Sequence, residues 1–485
     1  MQRLLGYRFR RTTLQLGLLV SFLLGIGLAR FHYRMEMFSP IILGLLSIFG
    51  AYKKTFLGLL LLVVFGLSLG WYRGSIFMGK LASYQPHYDQ TLTLRVQAMQ
   101  DGVYGTRSQM TFDGNNVTLA DGTKLAGKIA VSGFGVNAVF QGDVVQASGK
   151  LRAGYGAKQG TLGFAKLTVL SHHNSVIAEI RRRFAAGMQT ALPEPLGSFA
   201  MGLLIGQRAT LPATVKQDLL MVGLTHIIAV SGYNLTIMLH ASKKLFAGQS
   251  KRLATATSFI LIVVFLLLAG ASASIIRAAI VSTLSITTLY YGRTMKPLNL
   301  IALAAVITAY ANPFYVWSDI SWYLSFLAFF GVMVLAPLVS ERLTFKHKDS
   351  IIIAVGIESI CAETMSLPIV LFTFGQMSLV GLPANMLVVA LVPLAMLLST
   401  IAGLTGMLAP SLAGWIAWPA RLLLNYMLDI SHLLAGLPHI FAENLALSLG
   451  EMLVWYSGIL LFIAALWFKS RAKSATLTDI TDKTW

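Results

Sequence analysis

Long, nearly uninterrupted apolar runs constrain this chain more than anything else in it. Several can each span about 30 Å of hydrocarbon, which takes roughly 20 helical residues. In hydrocarbon every backbone N–H and C=O must be bonded within the protein, so such runs fold as helices. Composition agrees: apolar residues make up 56% of the chain and charged residues 12%, against about 25% charged in soluble domains. The expected fold class is therefore a polytopic α-helical membrane protein with about twelve membrane segments.

The spans are expected near 13–30, 37–52, 55–72, 223–241, 253–270, 273–292, 298–312, 319–338, 351–374, 379–402, 413–436 and 450–468. Basic clusters orient them. Arg3/Arg8/Arg10/Arg11, Lys53/Lys54, Lys243/Lys244/Lys251/Arg252, Arg293/Lys296, Arg342/Lys346/Lys348 and Lys469/Arg471/Lys473 all fall on one side, as cytoplasmic loops require. Both termini are then cytoplasmic, the run after Met1–Arg11 is a retained first helix, and residues 471–485 form a polar cytoplasmic tail. Arg30 and Arg34 in the first outer loop depart mildly from this rule. Orientation thus accounts for much of the formal net charge of +19, which alone demands no anionic partner.

Residues 81–172 differ in kind and are expected outside the cytoplasm. Alternating runs at Thr91–Ala98, Ser108–Phe112, Asn116–Leu119, Lys128–Ser132, Asp143–Leu151 and Gly163–Leu170 are separated by Asp113-Gly-Asn-Asn116, Asp121-Gly122 and Gln141-Gly-Asp143. These are the marks of a small β-barrel of about five or six strands. Its size is compatible with an OB-like fold, a common support for single-stranded nucleic acid. Candidate nucleic-acid contacts are Arg95, Arg107, Lys128, Arg152 and Lys158, accompanied by Lys124 and Lys166 and opposed by Asp89, Asp101, Asp113, Asp121 and Asp143. Of the aromatics Tyr104, Phe134, Phe140, Tyr155 and Phe164, most phenylalanines are expected in the core, the usual place of strand aromatics. At 176–192, Ile180, Phe184 and Met188 recur at helical spacing beside Arg181-Arg-Arg183. This predicts an amphipathic helix lying on the bilayer.

Polar groups inside the apolar runs are the functional signal, because they are expensive there and face a partner or water. The segment Gly223-Leu-Thr-His-Ile-Ile-Ala-Val-Ser-Gly-Tyr-Asn-Leu235 carries His226, Ser231, Gly232 and Asn234 in an otherwise apolar stretch. Arg277 sits among small residues in Ala271-Ser-Ala-Ser-Ile-Ile-Arg-Ala-Ala279, with an ion pair to Glu358 or Glu363 and a phosphate contact as its competing roles. Pro368, Gly375, Gly381, Pro383 and Pro393 interrupt two later runs, and Asn385 is placed to satisfy one of the freed backbone groups. Arg421, Asn425 and Asp429 share one helix face as a stripe suited to joining helices. No histidine pair has zinc-helix spacing. The single cysteine, Cys361, excludes an internal disulfide and a cysteine-based metal site. Neither metal nor cofactor is expected.

The order of these motifs resembles the ComEC competence family. Gly223-Leu-Thr-His with Ser231-Gly232 is similar to its signature, and Gly202-Leu-Leu-Ile-Gly-Gln-Arg208 resembles the segment before it. Ser274-Ile-Ile-Arg277, Asn312-Pro313 with Trp322-Tyr-Leu-Ser-Phe-Leu-Ala328, and Leu367-Pro-Ile-Val-Leu-Phe-Thr-Phe-Gly375 with Leu382-Pro-Ala-Asn385 follow in the family's order. Tyr233 and Asn234 depart from it, standing where relatives often carry small or apolar residues or His.

The resemblance implies an inner-membrane channel that brings single-stranded DNA into the cytoplasm during natural transformation. It divides the chain into N-terminal transmembrane helices at 1–75, an OB-like domain at 81–172, the helix at 176–192 and a channel domain at 196–470. DNA-pathway candidates are His226, Ser231, Gly232, Asn234, Arg277, Ser325 and Asn385. Implied partners are single-stranded DNA, the lipid bilayer, an outer DNA receptor and cytoplasmic single-strand-binding or helicase proteins. A separate nuclease is also implied, because the chain lacks a His-x-His-x-Asp-His pattern. A non-enzymatic role is expected. The alternatives are a small-molecule transporter, which broken helices also suit, and an intramembrane serine protease using Ser231 with His226 or His432.

Overall fold

The computed structural model describes residues 8–31, 38–53, 55–99, 101–104, 109–136, 138–154, 158–172, 176–206, 211–228, 250–269, 273–292, 296–342 and 351–481. In chain order the elements begin with α1 (Arg11–Leu28), α2 (Phe38–Lys53) and α3 (Phe56–Ala82). Seven strands follow: β1 (Thr91–Ala98), β2 (Val103–Tyr104), β3 (Met110–Leu119), β4 (Lys124–Leu125), β5 (Ile129–Phe134), β6 (Val144–Ala153) and β7 (Gly160–Ser171). Next come α4 (Val176–Ala191), α5 (Leu196–Ile205), α6 (Ala213–Met221), α7 (Lys251–Ala269), α8 (Ala273–Tyr290), α9 (Pro297–Ala311), α10 (Phe314–Ser318) and α11 (Ile320–Phe330). A π-helical turn (Gly331–Leu335) leads to α12 (Ala336–Ser340), α13 (Ile351–Phe374), β8 (Met377–Ser378), α14 (Gly381–Val388), α15 (Val392–Leu408), α16 (Pro410–Ile416), α17 (Trp418–Ala435), β9 (Phe441–Ala442) and α18 (Leu449–Thr481).

Six stretches are long and apolar enough to cross a membrane: Arg11–Phe31, Phe56–His87, Ile320–Ser340, Ile353–Phe374, Gly381–Leu408 and Leu449–Leu466. Leu196–Ile205, Ile275–Tyr290 and Pro297–Ala311 are apolar but shorter. The fold is thus a multi-pass helical one, while the larger number of spans read from the sequence is not shown among the described residues. Three boundaries also differ. The third helix continues to Ala82 instead of ending near residue 72, the expected 413–436 span is split into α16 and α17, and α18 runs on through the tail to Thr481. The split follows from Pro419 in the first turn of α17, where a missing N–H is tolerated. Most of the expected 223–241 span lies outside the described residues.

The chain forms two compact units, Met1–Arg183 with Ser242–Tyr323, and Phe184–Ala241 with Leu324–Trp485. In the first, α1 and α3 pack through a glycine seam. A Cβ on Gly25 would fall 2.1 Å from Leu67 O, and one on Gly70 would fall 2.0 Å from Phe22 O. Small residues let helix backbones approach where lipid supplies no hydrophobic drive. Polar side chains then tie α9 and α10 to this pair. Asn299 Nδ2 donates to Thr12 O at 3.0 Å, Trp317 Nε1 to Ile26 O at 2.7 Å, and Arg73 Nε to Tyr310 O at 2.9 Å. Arg30, the charge that fits the orientation rule poorly, donates to Trp317 O at 3.2 Å and so has a structural use.

The strands of this unit pair in a ring. β1 pairs with β6, β6 with β7, β7 with β5, β5 with β3, and β3 again with β1. All these pairs are antiparallel except β5–β7. Inward-pointing Leu94, Val96, Phe112, Val131, Val145, Leu151, Leu162 and Leu167 fill the interior. The Asp113–Asn116 turn expected from sequence does not form: β3 runs straight through it. Gly114 is needed because a Cβ there would fall 1.9 Å from Val96 Cγ1, and Asn116 takes a φ of 49°. Turn-like residues here bend a strand against β1, at a bulge between Arg95 and Gln97, instead of reversing it. The Asp121-Gly122 turn does form, with Asp121 Oδ1 accepting from Thr123 N at 2.9 Å.

In the second unit Phe184 and Met188 of α4 are buried. A Cβ on Gly406 of α15 would lie 1.9 Å from Gly187 O, so the apolar side of α4 packs on a helix. Leu335, Ala336, Cys361, Met365 and Ile459 form a separate core joining α12, α13 and α18. Tyr456 Oη donates to Met365 O at 3.0 Å, one turn before Pro368. That proline stands inside a continuous α13, not at a break.

Candidate functional site

The signature segment begins at the end of α6, and its first glycine has a definite task. Gly223 N–H donates to Leu220 O at 3.0 Å and Leu224 N–H to Leu219 O at 2.7 Å. These two bonds are a Schellman cap, which needs a left-handed residue at its centre. Gly223 supplies it with φ of 79°. Leu219 and Leu224 are both buried, providing the apolar contact that accompanies such a cap.

The capped turn directs His226. Its Nδ1 lies 3.0 Å from Gly223 O. A carbonyl only accepts, so Nδ1 carries the proton and Nε2 is left as the acceptor of the neutral ring. The imidazole is solvent-exposed, while Leu224, Ile227 and Ile228 beside it in the chain are buried.

The same turn abuts a break in the helices of its unit. α13 ends at Gly375, with φ of 62°, and the chain then passes through β8 before α14 starts. Met377 and Ser378 pair with Ala442 and Phe441 of β9. A Cβ on Gly223 would lie 3.2 Å from Ser378 Cβ and 3.5 Å from Gly381 Cα; one on Gly381 would lie 3.4 Å from Glu363 Oε1. Non-helical backbone at membrane depth is tolerated only inside protein or beside water. Ser378 Oγ and Asn385 Oδ1 are buried here with no hydrogen-bond partner among the described residues. Asn385 Oδ1 therefore accepts no bond from a described backbone N–H. Buried polar atoms rarely stay unmet, so each is expected to meet a group outside the described residues.

Arg277 belongs to the first unit. It stands on α8, is 3% exposed, and donates from Nη2 to Ser321 O at 3.1 Å. Its Nε and Nη1 have no partner among the described residues. The nearby negative charge comes from Asp319, which sequence reading did not nominate. Asp319 caps α11, its Oδ1 accepting from Trp322 N at 3.2 Å, as Asp at an N-cap does.

Ser325 is half-buried on α11, while Ser231, Gly232, Asn234 and Arg107 lie outside the described residues. Of the strand-domain candidates, Arg95 and Arg152 are exposed on β1 and β6. Lys158 is instead paired with Asp113 at 2.6 Å. Burial pushes the Lys128 ammonium down from its ordinary value, with Asp113 partly opposing the shift. These basic residues thus divide between a free outer surface and a neutralised edge. Phe134 and Phe164 are exposed, contrary to the core position expected of strand phenylalanines, whereas Phe112 is buried. His432 Nδ1 lies 2.9 Å from Asp218 Oδ2 and ties α17 to α6, a long-range pair without a sequence signal. Among the described residues no three His, Cys, Asp or Glu side chains cluster to hold a metal ion.

Residues 203–469, which contain the capped turn, the break and Arg277, match the profile of a family described as Competence protein. The ComE operon protein 3 of Bacillus subtilis (strain 168) is 22% identical over 229 residues, covering 47% of this chain and 29% of that relative. No solved structure matches.

Proposed function

The chain belongs to the competence protein family, and from that premise we propose that it conducts single-stranded DNA through the inner membrane into the cytoplasm during natural transformation. The observation that carries this reading is the capped turn Gly223–Ile228 held against the break after Gly375, with Ser378 Oγ buried there without a described partner. A polyanion needs a wet path with donors along it, but not so many that it sticks. We assign DNA contacts to His226, Ser231, Gly232, Asn234, Ser325 and Asn385 in the second unit and, separately, to Arg277 in the first. The guanidinium of Arg277 supports the assignment, since two of its nitrogens are not used by the described protein.

In this reading both termini are cytoplasmic and the strand domain is extracytoplasmic. The ring of pairings with one parallel step, β5–β7, supports an OB-like barrel. The chain performs no covalent chemistry of its own, so removal of the complementary strand and cytoplasmic capture fall to a nuclease and to single-strand-binding or helicase proteins. An outer receptor delivers the duplex. Deleting the gene and following labelled DNA tests the reading. DNA reaching the cytoplasm normally in the deletion strain refutes it. The broken helix also suits a small-molecule transporter, and a polyanionic cargo is distinguished by uptake that falls steadily as salt rises.

A further inference from the structure

Strands β1, β6, β7 and β5 lie side by side, and their outward residues form cross-strand rows. Thr93, Ser148, Lys166 and Phe134 make one row; Arg95, Gln146 and Thr168 make the next. Lys150 and Arg152 continue outward along β6. These four strands contain no Asp or Glu. The acidic partner given to this surface is Asp89, 3.0 Å from Lys150.

Phe134 and Phe164 stand open on this face, 45% and 66% exposed. Phe164 is also strained. It sits in a bulge where Gly163 and Phe164 oppose the single Ser132 of β5, and its φ is 53°. A bulky side chain is a genuine outlier there, and glycine is the undemanding choice. Neither the core nor the backbone explains a phenylalanine at this position. Bulges re-aim side chains, and observed strain points to function.

We propose that Phe164 and Phe134 form a stacking platform for the bases of single-stranded DNA, with Lys166 and Arg95 meeting its phosphates. This rests on the DNA-uptake reading. Aromatic rings set in a basic surface bind single strands without regard to sequence, because every base has a face to stack. The surroundings favour a nucleic acid over lipid. The outward residues next to the rings are polar, Ser132 and Lys166 first and Ser148, Gln146 and Thr168 beyond them, whereas a membrane-inserting wedge is continuously apolar.

The test uses the full chain in nanodiscs of phosphatidylcholine, with fluorescence anisotropy of labelled oligo(dT) and of an abasic oligomer of equal length. Phe134→Ala and Phe164→Gly are each expected to weaken oligo(dT) binding by about 5- to 150-fold. Phe164→Gly should leave the melting temperature unchanged or raised, since glycine relieves the backbone. The abasic oligomer should bind the wild type as weakly as oligo(dT) binds the variants. Unchanged affinity in the Phe134→Ala/Phe164→Gly double variant, or equal binding of the abasic oligomer, overturns the platform while leaving DNA uptake standing. A wild-type chain that binds no DNA, with uptake intact in the deletion strain, removes both readings. A bimane probe on Phe164→Cys in a Cys361→Ser background should not be quenched by brominated lipid; quenching assigns the face to the bilayer and overturns the platform.

Discussion

Replacing Arg277 by methionine separates the two roles open to that residue. The change removes the Nη2 bond to Ser321 O at 3.1 Å, worth about 1.5–3 kcal/mol for a charged donor. Asp319 loses an attracting cation but keeps its cap bond from Trp322 N, a further loss because the cation removed is buried. Against this, Nε and Nη1 are buried without described partners, and each unmet donor costs about 1–3 kcal/mol while it stays so. Methionine fills much of the stem volume. The opposing effects are of comparable size, and replacing a buried charge with an apolar side chain is often neutral or stabilising. Arg277→Met should therefore accumulate in the membrane at a normal level, with a melting midpoint in detergent near that of the wild type. Labelled-DNA uptake should nevertheless fall to the level of the deletion strain. If Arg277→Met fails to accumulate while Arg277→Lys accumulates normally, the residue is an internal ion pair and the argument from its unused nitrogens is wrong. Normal uptake in a well-folded Arg277→Met protein refutes the pathway role directly.

His226→Asn keeps a donor at the place of Nδ1 for Gly223 O but loses Nε2; the protein level should hold while uptake drops, and unchanged uptake would make the imidazole a mere brace. Gly70→Leu places a Cβ 2.0 Å from Phe22 O and forces α1 and α3 apart, so a loss of about 1–3 kcal/mol or more should appear as a lower melting midpoint or failure to accumulate. Asp121 is held below the usual carboxylate range by the Thr123 N–H and side chain. A depressed carboxylate contributes stability above its unfolded value of about 3.9 and loses it as pH falls through the lower folded value. Hydrogen exchange in 119–125 should thus rise as the pH falls below that range, and Asp121→Asn should abolish the dependence.

What could be read from sequence was set by local physics. Thr91–Ala98 and 351–374 coincide with β1 and α13 because strand alternation and a long apolar run are properties of neighbouring residues. Gly223 enters the sequence reading only as part of the signature, because its Schellman cap depends on α6 preceding it. Expectations failed where distant segments decide. Asp113–Asn116 has the composition of a turn, yet Gly114 serves the approach of Val96. Pro368 has the look of a break, yet α13 continues through it. Nothing in the spacing brings Gly223 to Ser378, or Asp319 to the neighbourhood of Arg277, since each pair joins segments far apart in the chain.

Polar groups in the helices divide into those met by a neighbouring helix and those that keep a buried atom without a described partner. Asn299, Trp317, Arg30 and Arg73 are as foreign to lipid as Arg277, and each donates to a backbone carbonyl of another helix. In hydrocarbon such bonds are glue, because the alternative is a bare polar group. Arg277, Ser378, Asn385 and Ser399 retain buried polar atoms without described partners. Ser399 stands on α15, outside every motif singled out by sequence, whereas Arg277 and Asn385 fall within them and Ser378 abuts one. Of these four, Arg277 and Asn385 are thus motif residues that also hold unmet atoms. In the proposed pathway Arg277 Nε and Nη1 and Ser378 Oγ are groups that can donate to phosphate, whereas Asn385 Oδ1 can only accept, from a base or from water.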